Sequence, residues 1–202
     1  LYCGLASRGY WFTAILAPRF LASAFSSGPA LLILLSFILK RITKFKVERE
    51  TTQAVAIIVA YALVANIFFL LCEVFVVFYS DIPSHVDHFI YLFKGLNGHN
   101  TMVPWMWTSI VLLLLGAVLL VVPSFRKKTH LLIVACLAVF LGTWIDKGLG
   151  LMIGGFTPNP FHRVVEYVPT IPEVSIVLGV YGIGLLVLTI LYKIVIYVRK
   201  TI

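Results

Sequence analysis

Acidic residues are scarce in this chain: eight Asp and Glu stand against sixteen Lys and Arg, a net charge of +8. Cysteine is scarcer. Cys3, Cys72 and Cys136 are the three, and no C-x-x-C pair occurs, which excludes a zinc or iron–sulfur site of the usual thiolate spacing and a disulfide framework. Cys72 and Cys136 lie within apolar runs and read as packing residues. The five histidines avoid the apolar runs as well: His85, His88, His99 and His162 fall in connecting segments and His130 at the edge of a run. A haem b inside a membrane needs axial histidines within the spans, so no haem is expected, and loop histidines in "HVDHF" and "GHN" read as interfacial hydrogen-bonders rather than metal ligands. Charged residues make up 12% of the chain and hydrophobic ones 61%, a balance outside the range of soluble domains.

What is present is long apolar sequence. Leu21–Leu39, Thr51–Cys72, Thr101–Phe125 and Val174–Tyr192 are free of charge, and a helix of about 20 residues crosses the roughly 30 Å hydrocarbon layer. The pattern predicts one integral membrane domain over 1–202, an all-α polytopic bundle with about five spans near 19–40, 52–79, 103–122, 129–151 and 172–199. Paired inverted repeats with interrupted spans, the mark of many transporters, are not visible. The opening "LYCGLASRGYW" has no initiator Met and no basic n-region before an apolar core. The expectation is therefore the C-terminal part of a longer protein, or a chain that begins at a non-standard start.

Basic residues cluster between the runs. All sixteen except Arg8, Arg19, Lys94, Lys147 and Arg163 fall in the first–second connector, the third–fourth connector or the C-terminal end. This is the positive-inside pattern, which predicts a cytoplasmic C-terminus and an extracytoplasmic N-terminus of the segment in a cytoplasmic membrane, and argues against nucleic acid as the partner. The two long connectors on the opposite side, 80–102 and 148–171, are rich in aromatics, Gly and Pro. Phe89, Tyr91, Leu92, Phe93 and Leu96 suit a short interfacial helix, and Trp11, Trp105 and Trp107 an aromatic belt. Ala22, Ser26 and Ala30 give the first span a small-residue face for close helix packing, and Pro29 predicts a kink.

A few charges are left that topology does not explain. Glu73 lies about 33 Å along the second span from Thr51, and Asp146 about 24 Å along the fourth from His130, by helical rise. Both fall short of the surface, at one depth with Lys147, with Arg19 before the first span, and with Glu166 and Glu173 approaching from the last loop. Intramembrane ionisable groups pair or face a cavity. Two readings follow: an interhelical salt-bridge set, such as Glu73 with Lys147 or Arg19 with Asp146, or a site for protons or a quinone head group. Successive helical residues diverge by about 100°, so Asp146 and Lys147 are expected to address different neighbours.

"APRFLASAFSSGPALLILL", "YLFKGLNGHNTMVPWMWTS", "WIDKGLGLMIGGFTPNP" and "EYVPTIPE" resemble the C-terminal half of the NrfD-type family, which includes the membrane subunits of polysulfide reductase. Within that family the likeness is strongest to the Dsr-type membrane subunits associated with sulfite reduction. The resemblance implies half of a roughly ten-helix protein that exchanges electrons between menaquinone or menaquinol and an extracytoplasmic, ferredoxin-like iron–sulfur subunit, with further redox subunits beyond it. It implies no cofactor beyond bound quinone, held mainly in the other half. It makes Glu73, Asp146 and Lys147 candidates for proton transfer. Arg19, Ser23, Glu166, Tyr167 and Glu173 become candidates to line the quinone or proton path, and His88, His99 and Trp105 candidates to meet the partner.

Overall fold

The structure, a computed structural model, describes residues 8–42, 48–159, 163–165 and 169–201. Among them there is no strand, and the chain is an all-α polytopic bundle with five helices of membrane-spanning length. It divides into two units, 1–166 and 167–202.

In the first unit, α1 (Leu16–Ile42) is followed by α2 (Arg49–Ser80), the short α3 (Pro83–Phe93), α4 (Val103–Val121), one turn α5 (Pro123–Arg126) and α6 (Thr129–Trp144). A π-helical turn, Ile145–Leu151, carries α6 into α7 (Met152–Phe156), so the fourth membrane helix is continuous over Thr129–Phe156. α1 packs on α2 and α6, and α4 on α6. α1 is continuous through Pro29, and its buried face is Leu16, Arg19, Ser23, Ser26, Ala30 and Ile33. The buried stripe thus runs through Ser23, Ser26 and Ala30, with Ala22 only half-buried beside it.

Small residues set the helix separations, because in lipid close backbone approach replaces the hydrophobic drive. Gly116 on α4 is one such point: a Cβ there would meet Val139 Cγ2 of α6 at 2.6 Å. Ser109 Oγ donates to the Gly142 carbonyl at 2.8 Å across the same contact. One apolar cluster, including Ala30, Ala56, Leu63, Leu113, Ala135 and Val139, fills the Lys/Arg-rich half of the bundle. A second, including Tyr10, Trp11, Leu16, Val77, Leu92, Met106 and Leu151, fills the other half.

The second cluster is closed by segments that hydropathy leaves in loops. α3 buries His88, Phe89, Tyr91 and Leu92. Trp11 Nε1 donates to the Leu151 carbonyl at 3.0 Å, and its ring stands edge-on to Phe156. Trp11 is therefore a buried clamp on the π-helical turn and not part of the aromatic belt, whereas Trp105 and Trp107 are about half exposed. A Cβ at Gly155 would fall within the Trp11 ring. Gly155→Ala is expected to cost about 1–3 kcal/mol or more, the range of overpacking, read as a lower melting temperature in detergent.

After α3, Asn97 and Gly98 both have positive φ, and Leu96 and His99 exchange backbone hydrogen bonds of 3.1 and 3.0 Å around them. This is the tight Asn-Gly turn that such a dipeptide favours. It fixes the backbone of His99, which is half-buried.

The second unit is α8 (Ile171–Thr201). Its first turn is closed by Glu173, which accepts from Thr170 N and Thr170 Oγ1, both at 2.7 Å. Thr170-Ile-Pro-Glu173 is a capping sequence, with the carboxylate reaching back to the backbone before the helix.

Candidate functional site

Three membrane helices bring their ionisable residues to one point. Arg19 comes from the first turn of α1, Glu73 from two turns before the end of α2, and Asp146 from the π-helical turn after α6. On each helix the charged residue falls, in sequence, between the residues of the two apolar clusters. Arg19 is 2% exposed. Its guanidinium forks: Nη1 donates to Glu73 Oε2 and Nη2 to Asp146 Oδ1, the latter at 2.7 Å. A guanidinium suits this place because its planar donors can hold two carboxylates that approach from different helices. Lys147 Nζ then lies 3.1 Å from Asp146 Oδ2, at ion-pair distance without hydrogen-bond alignment.

The result is a chain, Glu73–Arg19–Asp146–Lys147, with two positive and two negative groups when all are ionised. Its neutrality is what makes burial tolerable, because removing one partner would leave an uncompensated charge in a medium of low polarity. Polar capacity remains unused: Glu73 Oε1, Arg19 Nε and, on the neighbouring turn, Thr143 Oγ1 are buried without a hydrogen-bond partner among the described residues. Groups of this kind are where a water or a polar ligand finds its contacts.

Each end of the chain borders a cavity. Glu73 lines one of about 160 Å³ with Tyr10, Thr13, Ser80 and His85, beneath α3. Lys147 lines another of about 220 Å³ between α1 and α6, with Ser23, Ser27, Thr143, Trp144 and Phe140. Tyr10 lies within electrostatic reach of the chain. Burial, and next the Glu73 carboxylate, push its hydroxyl well above the usual phenol range, so Tyr10 stays a neutral hydrogen-bonding group.

The candidates read from the sequence are distributed as follows. Arg19, Glu73, Asp146 and Lys147 meet. Ser23 is buried, donates to the Phe20 carbonyl at 2.7 Å and borders the Lys147 cavity. Glu73 pairs with Arg19, not Lys147. The expectation that Asp146 and Lys147 address different neighbours is corrected: Asp146 holds Arg19 and Lys147 together. The wider π-helical turn and the long lysine stem allow the return contact. His88 does not present a docking surface, because it is buried against Thr157, whose carbonyl accepts from Nδ1 at 3.0 Å. Trp105 is exposed. Glu173 belongs to the cap of α8. Glu166 and Tyr167 lie outside the described residues. Thr143 and Tyr10 escaped sequence reasoning. Thr143 stands three residues before Asp146, the spacing of a shared helix face, whereas Tyr10 gives no local signal.

His88 carries a pH prediction of its own. Burial lowers its basicity, opposed by the Thr157 carbonyl. The folded form thus binds fewer protons than the unfolded one, so the stabilising effect is complete above the ordinary value near 6.5 and is lost as pH falls from there through the lowered one. Melting temperatures between about pH 7.5 and 5.5 should fall, and His88→Gln should flatten that slope.

Five helices of membrane length among the described residues, three of which join in a desolvated ion chain, define a multi-pass integral membrane protein of the helical-bundle class. Residues 1–158 match the polysulphide reductase NrfD family, and the chain belongs to it. It is also 26% identical to a putative dimethyl sulfoxide reductase membrane subunit of Halobacterium salinarum, over 93% of this chain and 46% of that protein. The chain thus spans about half the length of the curated relative it matches.

Proposed function

We propose that this chain forms part of the membrane subunit of a quinone-linked redox complex, and that its ion chain moves protons. Oxidation of a menaquinol releases two electrons and two protons. The electrons pass to an iron–sulfur partner subunit on the extracytoplasmic side, and the protons leave through titratable groups of the membrane subunit. In this reading the Lys147 cavity, open between α1 and α6, faces the quinone side. Asp146 and Glu73 take up and release the proton on its way to the cavity under α3, while Arg19, whose guanidinium keeps its protons, holds the two carboxylates in position. Positive-inside counting puts that cavity on the extracytoplasmic side of a bacterial or archaeal cytoplasmic membrane, with the C-terminus cytoplasmic. Sulfur respiration of the Dsr type is the proposed setting, and the second half of a roughly ten-helix subunit the proposed context.

The observation that carries this reading is the position of the two end groups. Glu73 and Lys147 line separate cavities while the buried Arg19–Asp146 pair lies between them. A helix staple has no need of cavities at both ends. Glu73→Gln, assayed as menaquinol oxidation by the intact complex, is expected to slow turnover by about 10²-fold or more, the usual size of a lost proton-transfer group. Unchanged turnover in a correctly assembled complex would overturn the relay.

A second reading has its own support. The chain is charge-balanced and nearly closed to solvent, which is also how an anchor would staple three helices. It predicts lost stability without a kinetic defect in the same variant.

A further inference from the structure

At the opposite end of the bundle from the ion chain lies a cavity of about 580 Å³, larger than either of the two above. It is bounded by the end of α1, the start of α2 and the start of α6. Lys40, Arg49, Lys127 and Lys128 line it, and neither acid of that end, Glu48 or Glu50, does. None of Lys40, Lys127 and Lys128 has an acidic partner among the described residues. Arg49 is held in place by donating to the Lys127 carbonyl at 2.8 Å, and Gln53 by donating to the Arg126 carbonyl at 3.1 Å.

Two further features make this more than the charge bias of a membrane protein. Topology needs cations near the ends of spans but gives no reason for a concave site between them. The start of α6 also forms part of the wall: Thr129, His130 and Leu131 line the cavity, no side chain caps the helix, and the first helical backbone bond there is Leu132 N to Lys128 O. Uncapped N–H groups at the start of a helix favour an anion. The lining also includes apolar side chains, Phe37, Leu131 and Leu132.

We propose that this cavity binds a phosphate-bearing anion, in the form of an anionic phospholipid head group. The head group sits among Lys40, Arg49 and Lys128 at the α6 N-terminus, and its acyl chains leave along the apolar surface toward Phe37. Basic pockets between membrane helices are a recurring place for such head groups. The site needs no redox partner, so its test is independent of the function proposed above.

The test is native mass spectrometry of the full protein in detergent, titrated separately with dioleoylphosphatidylglycerol, dioleoylphosphatidylcholine and inorganic phosphate. Phosphatidylglycerol is expected to bind at least about tenfold tighter than phosphatidylcholine, with each cation near the surface contributing about fivefold. Lys40→Gln with Lys128→Gln should then weaken phosphatidylglycerol about 25-fold. Arg41→Gln removes the same kind of charge from the same end outside the cavity, and should change binding less than about twofold. Inorganic phosphate that binds as tightly as phosphatidylglycerol, and loses affinity in the same double variant, keeps the phosphate site and makes its source soluble. Equal binding of the two lipids, or an equal loss in Arg41→Gln, overturns the proposal.

Discussion

Arg19→Met is expected to be the most damaging single substitution in the bundle, lowering stability by about 3–5 kcal/mol. The side chain is of similar length and keeps the apolar contacts of the stem, so the loss is electrostatic. Among the described residues, Arg19 is the one group that touches both Glu73 and Asp146. Without it, two carboxylates from different helices share a buried space with only Lys147 to offset them. One must then take up a proton or draw in water, and either route costs free energy. The charge arithmetic gives a rescue: Arg19→Met with Glu73→Gln leaves Asp146 and Lys147 as a neutral pair. The double variant should regain roughly half the loss or more, since the coupling of groups in contact is of this size. Thermal unfolding of the purified protein in detergent measures both. A loss below about 1 kcal/mol for Arg19→Met would mean that the site behaves like a solvated surface pair, and a desolvated chain would be the wrong description.

The membrane helices were legible in the sequence because hydropathy is a local property. So was the shared depth of Glu73 and Asp146, since helical rise converts residue number into height. Azimuth was not. Which way Arg19 faces relative to α2 and α6 depends on how three helices pack, and depth alone left Glu73 free to pair with Lys147. The π-helical turn was equally hidden, because its extra residue per turn is set by packing around Ile145–Leu151 rather than by a propensity. It is this turn, closed by Trp11 from outside the spans, that sets Asp146 between two cations.

Loop residues were the hardest to read. His88 and Trp11 have the composition of surface anchors, and both are buried, because α3 and the segment before α1 fold onto the end of the bundle. Periodicity marks which face of a helix is apolar, but a short segment has too few turns to say what will cover it. The Asn97-Gly98 turn is the exception, since its dipeptide demands the positive φ that it adopts.

Asp146→Asn separates the relay from the staple more sharply than any substitution at the chain's ends. Asparagine is nearly isosteric and keeps an oxygen for Arg19, so the fork of the guanidinium survives in part. What it removes is the charge that binds Lys147, and the capacity to take and release a proton. Lys147 is 12% exposed on its side chain and borders its own cavity, so the freed ammonium has room to hydrate, and the stability loss should stay below that of Arg19→Met. Turnover responds differently under the two readings. If protons pass through this carboxylate, menaquinol oxidation by the intact complex should fall about 10²–10⁴-fold. What activity is left should lose its dependence on pH where the wild-type profile has one, because the amide does not titrate. If the chain is only a staple, the rate stays within about threefold once the lower stability is corrected for, since uniform effects of packing leave the reacting groups where they were. The pH profile decides between a distorted site and a missing proton carrier: distortion lowers the curve and keeps its shape, whereas loss of the carrier changes the shape.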